Sequence, residues 1–119
     1  MNKKILLVDD DEDLLETNQT ILELCDYVVL STVSPKTGLE LYKKDKPCMT
    51  MLDVKMSEMN GYELFSKIIE FDPNAKVIMM TGHEDLAESN IAKQNGLLDV
   101  ITKPTNRKIL LDVLKKYEC

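Results

Sequence analysis

The sequence predicts a doubly wound α/β sandwich, in which five βα units build one parallel sheet with helices on both faces. Three observations predict it. Five short apolar runs alternate with segments of helical spacing along the whole chain. Those runs are continuously apolar rather than alternating, as suits strands buried on both faces. Turn-forming residues separate the two kinds of segment. At 119 residues, the expectation is one domain covering 1–119, since domains cluster at about 100–150 residues.

The first strand is read at Ile5-Leu6-Leu7-Val8. A helical stripe follows, made by Leu14, Asn18, Ile21 and Cys25 with Leu15 and Leu22 alongside. Tyr27-Val28-Val29-Leu30 is the second strand; it ends at the neutral pair Ser31-Thr32, and Ser34-Pro35 opens the next unit. Asp45-Lys46-Pro47 turns the chain into the third strand, Met49-Thr50-Met51-Leu52. Asn60-Gly61 then precedes a helix with Leu64, Phe65, Ile68 and Ile69 on one face. Asp72-Pro73-Asn74 leads to the fourth strand, Val77-Ile78-Met79-Met80, and Asn95-Gly96 to the fifth, Leu98 to Ile101. In the last helix Leu110, Val113, Leu114 and Tyr117 follow the i, i+3, i+4, i+7 pattern. Leu15, Leu22, Tyr62, Phe65 and the seven methionines read as core filler. No repeat, linker or composition shift marks a second domain.

Composition excludes several classes of function. The net charge of −6 and pI near 4.8 argue against direct nucleic-acid binding, and Arg107 is the only arginine. No apolar run approaches the roughly 20 residues of a membrane span. Four apolar residues after Lys3-Lys4 are too few for the core of a signal peptide. A cytoplasmic monomer or weak dimer is the expectation. Cys25, Cys48 and Cys119 are odd in number and far apart, with no C-x-x-C pair or adjacent histidine. They are expected to be two half-buried thiols and one at a frayed terminus.

In doubly wound folds the functional crevice lies outside the carboxyl ends of the strands. The residues there are Asp9-Asp10-Asp11, Asp53, Thr81-Gly82 and Lys103-Pro104. Six of the 21 acids fall between Asp9 and Glu16. Asp11, Glu12 and Asp13 suit the first turn of a helix, where the dipole favours negative charge. That reading leaves Asp9 and Asp10 unexplained, because they continue directly from a buried strand. If Asp53 ends the neighbouring strand, three like charges converge and resist ionisation unless a cation sits among them. Oxygen-only ligands with room for water describe Mg²⁺ better than Zn²⁺. Thr81 and Lys103 suit phosphoryl oxygens. The chemistry pointed to is phosphoryl transfer, with Asp53 as a carboxylate nucleophile.

In these residues the chain resembles the receiver domains of two-component response regulators, over nearly its whole length. The motifs are Ile5-Leu6-Leu7-Val8-Asp9-Asp10, Leu52-Asp53-Val54-Lys55-Met56 through Asn60-Gly61, Met80-Thr81-Gly82, and Gly96 through Lys103-Pro104. The resemblance implies a flavodoxin-like fold with strand order 2-1-3-4-5, the order for which a chemotaxis receiver is a standard example. It implies that Asp53 accepts a phosphoryl group from a sensor histidine kinase or a histidine phosphotransfer protein. Asp10, Asp53 and the backbone carbonyl of Lys55 would bind Mg²⁺ directly, and Asp9 through water. Thr81 would hydrogen-bond the phosphoryl group and Lys103 would pair with it. The Lys103–Pro104 peptide is expected to be cis. Phosphorylation would shift the surface of the fourth helix, fifth strand and fifth helix toward an unknown downstream protein.

Three positions depart from that pattern. Ser57 stands where proline is usual, and Val100 where an aromatic ring usually follows the motion of the threonine. His83 and Lys55, each two residues beyond a site residue, are positions that influence phosphoryl lifetime in receivers. For Lys55 the alternative is a solvated loop lysine, and for His83 an exposed loop residue. The expected function is a phosphoacceptor regulator that catalyses only its own phosphorylation and dephosphorylation, either standing alone or as a receiver cut from a longer regulator or hybrid kinase. The alternative is a phosphorylation-independent binding module. A turnover phosphatase would call for D-x-D-x-[TV], whereas the chain reads Asp53-Val54-Lys55, and no P-loop or dinucleotide glycine pattern is present.

Overall fold

A computed structural model describes residues 3–82 and 86–119 of the chain. The element order is β1 (Lys4–Val8), α1 (Glu12–Leu24), β2 (Val28–Thr32), α2 (Pro35–Asp45), β3 (Met49–Asp53), α3 (Gly61–Phe71), β4 (Val77–Thr81), α4 (Leu86–Gln94), β5 (Asp99–Thr102) and α5 (Arg107–Lys116). All pairings are parallel and the strand order is β2-β1-β3-β4-β5. The expected class, five-unit sequence and strand order are all found. Each strand begins or ends within a residue or two of its apolar run, because pairing extends past the apolar residues into Thr32, Asp53, Thr81 and Thr102.

The pleat explains why the runs are apolar throughout. Successive side chains point to opposite faces. Ile5, Leu7, Met49, Met51, Ile78, Met80 and Ile101 therefore pack with Leu15 and Leu22 of α1 and Leu110 and Leu114 of α5. Their neighbours Leu6, Val8, Leu52, Val77 and Met79 pack with Tyr42 of α2, Leu64, Phe65 and Ile68 of α3, and Ala92 of α4. The central strands β3 and β4 are buried at every position, whereas the edge strand β2 is half-exposed. Helix starts are capped as their sequences allow. Asp11 accepts from the backbone N–H of Asp13 and Leu14, and Ser34 from that of Thr37 ahead of Pro35. Asn60 accepts from Glu63 N–H and Asn106 from Ile109 N–H.

Thr50 breaks the apolar pattern of β3. Its hydroxyl is fully buried and has no hydrogen-bond partner among the described residues. Thr50→Val keeps the shape and removes an unpaired polar group. It is expected to raise stability to urea unfolding by about 1 kcal/mol.

The expectation for the cysteines is corrected. Cys48 and Cys119 are joined as a disulfide, with their Cα atoms 5.8 Å apart, and Cys119 is buried rather than frayed. Cys25 alone is free. Topology is the reason. Cys48 precedes β3 at the amino edge of the sheet, and α5 runs back to that same edge. A pair 71 residues apart in sequence is thereby brought together, which spacing alone does not reveal.

Candidate functional site

The strand register sets the site. Val8 lies beside Leu52, Asp53 beside Met80, and Thr81 beside Thr102. The residues that end or follow β1, β3, β4 and β5 therefore share one edge of the sheet. Carboxylate oxygens of Asp9, Asp10 and Asp53 all lie within 4.8 Å of one another. Asp9 and Asp53 are 1% and 7% exposed, while Asp10 faces solvent. Lys103 Nζ lies 2.9 Å from Asp9 Oδ2 and 3.1 Å from Asp53 Oδ1. A cleft of about 290 Å³ opens over this group, lined by Asp10, Asp53, Lys55, Thr81 and Lys103 among others.

Three converging acids need a cation, and the Lys103 ammonium supplies part of that compensation. Burial and the charge of Asp9 push the Asp53 carboxyl above the ordinary aspartate value; Lys103 offsets this only in part. Burial alone would lower the Lys103 ammonium. Its hydrogen bonds and charge pairing with Asp9 and Asp53 reverse that and hold it above the ordinary lysine value. Asp9 is held on both sides, since its Oδ1 accepts from the Asp11 backbone N–H at 3.0 Å.

The loop that carries Lys103 is fixed at several points. Its own backbone N–H donates to Thr81 O at 2.7 Å. The Lys103–Pro104 bond is cis, as expected. The next residue, Thr105, donates its hydroxyl to Asn18 Oδ1 at 3.2 Å. Asn18 sits in the buried stripe of α1, 5% exposed. The helical spacing placed it on that face but gave no sign of a partner 87 residues away.

Gly61 is a second residue whose role is structural support of the site. A Cβ there would stand 2.4 Å from Asp53 O and 3.1 Å from Met79 Sδ. Its N–H also donates to Val54 O at 2.8 Å. The start of α3 thus lies against the backbone of the strand end that carries Asp53. Since the nearest contact is strand backbone rather than the end of a flexible side chain, Gly61→Ala is expected to cost about 2–3 kcal/mol in urea unfolding. A cost below about 0.5 kcal/mol, the range of ordinary surface changes, would show that the strand end can shift freely.

The remaining expectations fall as follows. Thr81 is buried at the end of β4, and Lys55 is exposed at the mouth of the cleft. Val100 is half-buried in the core on the α2–α4 face, beside Met79 in register. Ser57 is exposed, and His83 lies outside the described residues. No helix among the described residues is long and apolar enough to cross a membrane.

Comparison with known proteins agrees with this geometry. A family model described as the response regulator receiver domain matches residues 5–115. The chemotaxis protein CheY of Thermotoga maritima is 31% identical over 117 residues, covering 98% of each chain. The C4-dicarboxylate transport transcriptional regulatory protein DctD of Rhizobium meliloti is 37% identical over 114 residues, 96% of this chain but 25% of that protein. The chain thus spans about a quarter of the length of that regulator. Among solved structures, a CheY-like response regulator receiver domain protein from Methanospirillum hungatei superposes with a TM-score of 0.93 at 33% identity. That match covers 99% of this chain and 95% of the other. With a family match over nearly its whole length and a site of three acids, a threonine and a lysine on one sheet edge, the chain belongs to the receiver domains of two-component response regulators.

Proposed function

We propose that this domain is a phosphoacceptor and that Asp53 is the residue modified. The observation that carries the reading is the convergence of Asp53 with Asp9, Asp10, Thr81 and Lys103 on one cleft. An Asp53 carboxylate oxygen attacks the phosphorus of a phosphohistidine on a sensor kinase or phosphotransfer protein. The O–P bond forms as the P–N bond breaks, and the imidazole leaves and takes up a proton. Lys103 holds the nucleophile's strand end and then pairs with the phosphoryl oxygens. Thr81 donates its hydroxyl to one of them. The chain acts on itself rather than on a substrate pool.

The donor set fits Mg²⁺. Three carboxylates within 4.8 Å, one of them in contact with solvent, leave net negative charge even with Lys103 among them. Asp10, Asp53 and the Lys55 backbone carbonyl would hold the ion, with Asp9 acting through water. When bound, Mg²⁺ supplies positive charge for the phosphoryl oxygens in transfer. The modified domain would then present an altered α4–β5–α5 surface to a downstream protein in the cytoplasm. Val100, lacking the ring usual there, favours a second reading in which the fold binds a partner without phosphorylation.

Intact-mass spectrometry after incubation with acetyl phosphate tests the choice. The native chain is expected to gain one phosphoryl group with Mg²⁺ and none after chelation. No gain under either condition would favour the binding module.

A further inference from the structure

We propose that Cys48 and Cys119 form a reversible dithiol–disulfide site, closed by a low-molecular-weight disulfide of the glutathione class, which fastens the carboxyl end of α5 to β3. The two Cα atoms are 5.8 Å apart, inside the range a disulfide spans. The terminal segment is held there by contacts that do not involve sulfur. Tyr27 Oη donates to Cys119 O at 2.7 Å, Cys119 N–H donates to Leu114 O at 2.7 Å, and Lys76 Nζ donates to Tyr117 O at 2.9 Å. Cys119 is 8% exposed. With these bonds in place the sulfurs stay opposed in the reduced chain, so closure needs no search through the chain. In a reducing compartment the pair rests as thiols, and the bond forms when the surrounding thiol–disulfide balance shifts.

The exchange balances in two steps. The thiolate of Cys48, the more exposed of the two, attacks one sulfur of the small disulfide; its S–S bond breaks and one small thiol leaves. The Cys119 thiolate then attacks Cys48 Sγ in the mixed disulfide and displaces the second small thiol. Two electrons pass from the cysteine pair to the small disulfide, and the two protons lost by the cysteines end on the released thiols. Cys48 immediately precedes β3, the strand that ends in Asp53. The bond therefore ties the phosphoacceptor strand to the helix that follows the Lys103 loop, at the edge of the sheet away from the cleft. This site stands independently of the phosphoacceptor reading.

The test uses the full chain with glutathione disulfide, followed by alkylation and intact-mass measurement. The expected result is loss of two hydrogens, one alkylated thiol on Cys25, no covalent dimer, and full reversal by dithiothreitol. Closing a loop between residues 71 apart is expected to raise the thermal midpoint by roughly 10 °C. Cys25→Ser should lose the same two hydrogens and gain the same stability with no thiol left to alkylate, whereas Cys119→Ser should keep a glutathione adduct on Cys48 and melt no higher after oxidation. Persistent glutathione adducts or covalent dimers through Cys48 or Cys119 in the Cys25→Ser chain, or closure without a rise in melting temperature, would each overturn the proposal. The native-chain measurements need no variant to fold.

Discussion

Asp53→Asn is expected to abolish phosphoryl loading from acetyl phosphate and, without Mg²⁺, to melt higher than the native chain. Loading is lost because the carboxamide offers no anionic oxygen to phosphorus. The stability gain follows from the direction of the Asp53 shift. Burial and the neighbouring Asp9 charge raise its folded-state pKa above the unfolded value. A raised acid makes the folded state bind protons more readily than the unfolded one, so ionised Asp53 weakens the fold at neutral pH. That penalty is complete above the raised pKa. It fades as pH falls through it toward the ordinary aspartate value of about 4. The amide carries no charge and escapes it. The expected rise is of the order of 5 °C at pH 7–8, about what 1 kcal/mol moves in a domain of this size. It should contract as the pH approaches 4. Mg²⁺ should reverse the order by stabilising the native chain, by about 3 kcal/mol at a hundredfold excess over Kd. Persistent loading of the variant would remove Asp53 as the acceptor. Equal melting at pH 7–8 without Mg²⁺ would mean the site carries no stored charge repulsion.

Much of this site was legible from the sequence because a parallel sheet converts position into proximity. Four apolar runs end in, or lead into, an acid, a threonine or a lysine, and the fold rule places strand ends on one edge. Asp9, Asp10, Asp53, Thr81 and Lys103 were therefore identifiable, and the structure gathers them. The supporting contacts were not. Asn18 looks like a flaw in an apolar stripe until Thr105 is seen against it. Gly61 reads as turn punctuation, whereas its place is set by Asp53 O lying where a Cβ would go. The Cys48–Cys119 bond depends on where α5 ends relative to β3. Each rests on a non-local distance between residues whose own neighbours in sequence give no hint of the partner. Local periodicity reports which face a residue takes, not what faces it there.

Lys103→Met should separate structural from chemical roles at the same cleft. The native ammonium, 17% exposed, bridges Asp9 and Asp53, whose side chains are 1% and 9% exposed. Removing it leaves two buried carboxylates facing each other without their shared partner. Breaking a buried ion pair in this way is strongly destabilising; with one side of the cleft open to water, a loss of about 2–4 kcal/mol is expected without Mg²⁺ at pH 7–8. The pH limits of that loss follow from both partners. Lys103 has a raised folded-state pKa, so its contribution is complete below the ordinary lysine value of about 10.4 and disappears as pH rises through the raised one. At the acid end, protonation of Asp53 removes one of the charges it serves. The deficit of the variant should therefore be widest near neutrality and shrink toward both extremes. Mg²⁺ should recover much of the lost stability and bind more tightly than to the native chain, since a competing positive charge is gone. Chemical denaturation and Mg²⁺ titration read both effects. A variant as stable as the native chain in chelator would show that water, not Lys103, compensates the paired acids. A variant that regains its fold with Mg²⁺ yet loads phosphoryl slowly would assign Lys103 a part in the transfer itself.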